Sequence, residues 1–336
     1  MTAGRRRSAA LCLGLGLGLG AAGCSKTLDA GHDVPHGLLP VDERNPVILE
    51  NDGWSDNWSG EYAALLANRG GPPLAGIIVD GTSYWPNVNS NLNGWNRLLQ
   101  AARTSGLQNI PDATVSTGPP LARPTDGQID STVPNHSMGA QLILDVSRRL
   151  SSPSRPVVVL ADAPLTNVAD AYLIDHTVVD RVVVVAALGT YAAPNGIMGG
   201  PNGDLDLWAN WIVAQRFRYV QVSAYYDQTT DVATAQLGSL PANPLGAWIA
   251  GKQPNIFKIS TASDQVSVLA MGLPAFALRV IRAVPDISGG FDTMHGLPLV
   301  PAPEGNVWLV TQIAAPLAAS HLWQWLLDPS TYGGRG

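Results

Sequence analysis

The segment PVILENDGWSDN, Pro46 to Asn57, is an apolar run that breaks off into four Asp or Asn side chains around one glycine. A run of this length with β-branched residues, closed by Gly and Asp, is a buried strand opening into a polar loop. Asp52, Asp56 and Asn57 then precede a helix-like stretch from Gly60 to Asn68. Their oxygens would gather where a parallel strand of an α/β sheet ends, a favoured position for ligands. Such oxygens are the donors that hard cations take, calcium in particular.

The same residue types also build turns and cap helices, so the loop chemistry alone leaves cation binding and simple capping both open. Its spacing excludes an EF-hand, which alternates its oxygen donors and places glycine sixth. Counted from Asp52, Trp54 is third and Asn57 sixth.

The rest of the chain supplies a body for such a strand. Its 336 residues are 46% hydrophobic and 14% charged, enough for one sizeable α/β core. Short β-branched runs at Ile77 to Val79, Val157 to Leu160 and Val182 to Val185 alternate with amphipathic stretches. That alternation predicts a single-domain α/β fold, a mostly parallel, Rossmann-like sheet flanked by helices. The Gly-Pro-rich pieces Gly70 to Pro73, Ser116 to Thr125 and Ala193 to Gly203 are expected to be rim loops. No internal repeat or coiled-coil pattern is present.

The N-terminus has the grammar of export. Arg5-Arg6-Arg7 precedes an apolar Ala9 to Leu19 too short to span a bilayer, and Ala21-Ala22-Gly23-Cys24 follows. The expected division is therefore a lipoprotein signal over 1–23, a flexible tether over 24–45 from a lipidated Cys24, and one domain over 46–336. Cys12 leaves with the signal, so no disulfide is expected. Loss of the three arginines makes the formal charge of −6 three units more negative. An acidic body of this kind is not expected to bind nucleic acid. The expected location is the bacterial cell envelope, and Ser25 after the cysteine resembles outer-membrane sorting.

Several segments, in order, resemble the inosine-uridine preferring nucleoside hydrolases. Glu50 to Asn57 resembles that family's D-x-D-P-G-x-D-D signature, and Leu74 to Gly81 its second strand, with Thr82 in place of Asn. Asn93 to Ala102 resembles its N-A-L-x-L-L-x-x-A helix, and Ala163-Pro164-Leu165-Thr166-Asn167 its G-P-L-T-N motif. Asp204 to Trp208 resembles its E-F-N-x-W ribose segment, and Ser263-Asp264 its late H-D pair.

The resemblance implies calcium-dependent hydrolysis of an N-ribosidic bond, with a small-molecule nucleoside as substrate. It implies Asp52 as general base and metal ligand, and Asp56, Asn57, Asp264 and the Thr166 carbonyl as further calcium ligands. Asn202, Asp204, Asp206 and Thr82 would meet the ribose, and Tyr225 and Tyr226 the base. A homo-oligomer is compatible with the resemblance. Asn57, Thr82 and Ser263 depart from the family pattern; a serine cannot serve as a general acid at neutral pH. They motivate an alternative, a catalytically impaired relative that binds a ribosylated or sugar ligand. His136, His295 and His321 are expected to be structural or solvated.

Two other enzyme classes fit less well. A phosphatase with a nucleophilic aspartate needs Asp-x-Asp, and position 50 is Glu. A serine hydrolase needs a G-x-S-x-G elbow, which the chain lacks.

Overall fold

The computed structural model describes residues 45–52, 74–83, 86–186, 188, 201–222, 238–256, 277–288, 290–291 and 296–313. Among them, the buried valine, leucine and isoleucine runs form the centre of one sheet. Strands β1 (Val47–Asn51), β4 (Val157–Asp162) and β5 (Val182–Ala186) are buried along their whole length. Continuous burial of this kind requires cover on both faces, as in a parallel sheet wrapped by helices.

The sheet also contains β2 (Leu74–Asp80), β3 (Ala113–Ser116), β6 (Arg218–Val222), β7 (Ala277–Pro285), β8 (Leu299–Pro301) and β9 (Val307–Ile313). Its order is β3-β2-β1-β4-β5-β6-β9-β7-β8. Every pairing from β3 to β9 is parallel; β7 joins β9, and β8 joins β7, antiparallel. The chain builds outward from β1 to β3 and then returns to lay β4 on the other side of β1. The ends of β1 and β4 are thus a topological switch point, where α/β sheets open a crevice beyond their carboxyl ends.

Helices fix those strand ends. In α1 (Val88–Thr104), Asn91, Trp95, Leu98, Leu99 and Ala102 recur at helical spacing and are buried, and Asn87 caps the first turn by accepting from the Ser90 amide. In α2 (Met138–Leu150), Ser137 caps the helix and Ile143, Leu144 and Val146 face the core. Helix α3 (Thr166–Ile174) is buried from Thr166 to Tyr172, packed among its neighbours rather than on the surface. The short α4 (Pro201–Leu205) leads into α5 (Leu207–Arg216), and α6 (Pro244–Ile256) packs on α1.

The fold agrees with the sheet expected from the sequence and corrects two of its loops. Ser116 closes β3 instead of opening a loop, and Pro201 to Gly203 are helical. Proline is favoured in a helix's first position, where its missing N–H has no partner to lose. The segment Gly70 to Pro73 lies outside the described residues. Among the described residues, no helix is long and apolar enough to cross a membrane.

Candidate functional site

Three neighbouring parallel strands end in acid: Asp80 closes β2, Asp162 closes β4, and Asp52 follows β1 directly. Glu50 adds a fourth carboxyl from within β1. All four are buried at the switch point. Burying so much potential charge is costly unless the groups are hydrogen-bonded or hold protons.

Asn167, the second residue of α3, supplies much of that bonding. Its Nδ2 donates to Glu50 Oε1 at 2.7 Å and to Asp80 Oδ1 at 2.9 Å. Its Oδ1 accepts from the Ser116 hydroxyl at 2.6 Å, and the Ser116 oxygen in turn accepts from the Gly139 amide at 3.1 Å. The chain of donors therefore runs one way, and it fixes the amide nitrogen of Asn167 toward the acids.

Glu50 and Asp80 thus meet at one carboxamide as two buried, interacting carboxyls. Burial is the main cause pushing the Glu50 carboxyl up to about 7; the charge of Asp52 adds to it, and bonds from Asp80 and Asn167 oppose it. Asp80 is raised well above the usual carboxylate range, first by burial and then by Glu50.

Asp52 is held differently. Its Oδ2 accepts from the Thr82 hydroxyl at 2.9 Å. Asn91 of α1 reaches between the strand ends and donates to the main-chain oxygens of Asp52 (2.6 Å) and Asp80 (3.0 Å). A carboxamide in this place ties the end of β1 to that of β2 and so sets where Asp52 stands.

Comparison with solved structures gives a consistent answer. A plant nucleoside hydrolase superposes with a TM-score of 0.61 at 14% identity, covering 85% of this chain and 100% of that one. A purine-preferring ribonucleoside hydrolase from Gardnerella vaginalis gives 0.56 at 14% identity, covering 86% and 99%. The fold is that of the nucleoside hydrolases. An inosine-guanosine nucleoside hydrolase gives 0.58 at 16% identity, covering 84% of this chain and 98% of its own. No protein-family model and no curated protein sequence matches the chain.

Within this nucleoside hydrolase fold, the residues singled out from sequence fall into three groups. Asp52 and Thr82 meet at the end of β1. Thr166 and Asp206 meet at the starts of α3 and α5: the Thr166 hydroxyl donates to Asp206 Oδ2 at 2.7 Å. Asn202 and Asp204 lie on α4, Asp204 exposed to solvent. Asp56, Asn57, Asp264, Tyr225, Tyr226 and Cys24 lie outside the described residues.

Asp206 has a local duty as well. Its Oδ1 caps α5 through the Ala209 amide at 2.9 Å, and its Oδ2 also accepts from the Leu121 amide at 2.9 Å. Burial raises its carboxyl, against the three donors that favour the charged form. Asp170 anchors the loop before α2 in the same manner. Its two oxygens accept from the amides of Asn135, His136 and Ser137 and from the Ser137 hydroxyl. These bonds hold His136, which is exposed, at a φ of 53°.

Asp80, Asn91, Ser116 and Asn167 escaped the sequence reading as site residues, although Asp80 had a visible signal. The run LAGIIVD ends in Asp just as VVVLAD does in β4. Among the described residues, no three His, Cys, Asp or Glu side chains form a cation shell by themselves. Among the described residues, the donors at the switch point are carboxyl, hydroxyl and carboxamide oxygens, with no thiol or imidazole. That set suits a hard cation rather than zinc or copper.

Proposed function

We propose that the chain hydrolyses the N-glycosidic bond of a ribonucleoside, with Asp52 as general base. The observation that carries this reading is the placement of Asp52 at the switch point, oriented by Thr82 and Asn91, in a fold shared with nucleoside hydrolases. In the reaction water adds to C1′ of the ribose, the C1′–N bond breaks with its electron pair leaving on the base, and Asp52 accepts the water's proton. The transition state has oxocarbenium character, so a carboxylate beneath the sugar also stabilises the positive charge that develops there.

Calcium is part of the proposal. Asp52 and the Thr166 carbonyl would hold it together with Asp56, Asn57 and Asp264. The chemistry it supplies when bound is Lewis acidity toward water and toward a vicinal diol. Asn57 offers a neutral oxygen where a carboxylate would bring charge, and affinity is expected to be correspondingly modest. Asn202, Asp204 and Asp206 would line the ribose and Tyr225 and Tyr226 the base, while Thr82 would act through Asp52. Lipidation at Cys24 would hold the enzyme at the cell envelope.

A second reading, ligand binding without turnover, is favoured by one observation: both oxygens of Asp206 are already engaged by the protein. Ribose release from a panel of purine and pyrimidine ribonucleosides, with calcium and with a chelator, separates the two. Chelator-sensitive release supports hydrolysis. Binding of ribose or a nucleoside without release supports the alternative.

A further inference from the structure

At the opposite edge of the sheet, where the parallel strands begin, lies a cleft of about 460 Å³. Its walls are Arg216 at the end of α5, Phe217 and Arg218 leading into β6, Asn306 just before β9 and Trp308 within it, and Asp180 just before β5. Nothing in the proposed hydrolysis uses it.

The two guanidiniums are poorly compensated by the protein. Arg218 is half-buried, yet the hydrogen bond it makes is a 3.5 Å contact to the Asp180 carbonyl. Burial pulls it below the usual arginine range, with Asp180 opposing in part. Arg216 reaches Asp130 at 3.8 Å, an exposed pair worth little in water, and lies 5.8 Å from the centroid of the Tyr172 ring, which takes none of its N–H donors. A guanidinium carries five N–H donors in a planar fork that matches a carboxylate or a phosphate. Most of those donors have no acceptor among the described residues.

The remaining wall is flat and apolar. Trp308 is half-buried and carries the Arg282 guanidinium 4.1 Å from its ring centroid; Phe217 is buried beside it. Stacking on an indole suits a planar ring. A volume of this size exceeds what an inorganic ion fills and lies in the range of small-molecule sites.

We propose that this cleft binds a small aromatic oxyanion, its phosphate or carboxylate held by Arg216 and Arg218 and its ring packed against Trp308. The exposed Asp180 at the rim disfavours a second negative charge on the body of the ligand and offers an acceptor for a hydroxyl. This proposal is independent of the hydrolase reading, since the two sites stand at opposite ends of the strands.

Calorimetric titration of the full-length protein with phenyl phosphate, benzoate and phenol tests it. Phenyl phosphate or benzoate is expected to bind and phenol not to. Arg218→Gln and the exposed Arg216→Ser are each expected to weaken binding tenfold or more, while Asp52→Asn leaves it intact. If neither anion binds, if phenol binds equally, or if Asp52→Asn abolishes binding, the proposal is overturned. Co-sedimentation with phosphatidic acid vesicles, without binding of either soluble anion, would assign the arginines to a membrane surface and also overturn it. Should Arg218→Gln fold poorly, Arg216→Ser and the phenol control decide.

Discussion

Gly139 lies so close to Asn167 that a Cβ at position 139 would stand 2.5 Å from the Asn167 amide carbon. The glycine leaves the space in which Asn167 turns its nitrogen toward Glu50 and Asp80. Gly139→Ala would favour the helix by up to about 1 kcal/mol on propensity alone. The clash should outweigh that gain, and we expect a net loss of about 1–3 kcal/mol, read from denaturant unfolding. A stabilised variant would show that Asn167 moves freely.

The raised carboxyls of Glu50 and Asp80 give stability a particular dependence on pH. Both carboxyls are raised in the fold, so their contribution is complete below the unfolded value near 4.5 and is lost as pH rises through the folded value of about 7 for Glu50. In chelator, the unfolding free energy, read from denaturant unfolding, should fall between about pH 5 and 8, by up to about 1.4 kcal/mol per pH unit for each proton released. Glu50→Gln can still accept from Asn167 and donate to Asp80, and should flatten this slope. An unchanged slope would place the titration elsewhere.

Asp52→Asn should lower ribose release by about 100- to 10,000-fold, the usual contribution of a positioned base. Its melting temperature should barely change, because an amide oxygen can still accept from Thr82. Retention of more than a tenth of the activity would remove Asp52 from the role of base.

Removing one hydroxyl tests how far that placement matters. Thr82→Val keeps the shape and deletes the 2.9 Å bond to Asp52. Turnover should drop while substrate affinity holds, as expected when an interaction acts on the transition state. An equal loss in affinity would instead make Thr82 a ribose contact.

Asp206→Asn replaces an acceptor with a donor opposite either the Leu121 amide and the Thr166 hydroxyl or the Ala209 amide. The resulting clash should cost about 1–3 kcal/mol, measured by denaturant unfolding. Isothermal titration with calcium adds a second readout. If Asp206 offsets the neutral Asn57, the variant should bind calcium more weakly; tighter binding would end that idea.

Much of this arrangement was legible in the residues. The strands at Ile77 to Val79, Val157 to Leu160 and Val182 to Val185 announced themselves through β-branched runs, which buried parallel strands permit on both faces. Asp52 was legible because a polar loop follows its strand. The pairing of Glu50 with Asp80 was not, since it depends on register: Glu50 stands opposite Ile78 of β2 and Ala161 of β4, and no spacing along the chain announces that. Asn167 was noticed as part of a motif, but its partners are Glu50 and Asp80, far away in sequence. Nor does any spacing along the chain set Arg216 and Arg218 beside Trp308, which reaches them through the pairing of β9 with β6.

The sheet's two borders also constrain how copies of the molecule can meet. Among the described residues, one border is the four-residue β3 and the other the three-residue β8, which ends in Pro301, a residue with no N–H to offer a neighbour. Short borders and proline are devices by which sheets resist being extended by another chain. If many copies were crowded side by side on one surface, strand-by-strand growth would find little to grip. Contacts between such copies would fall to helices and loops rather than to these two strands.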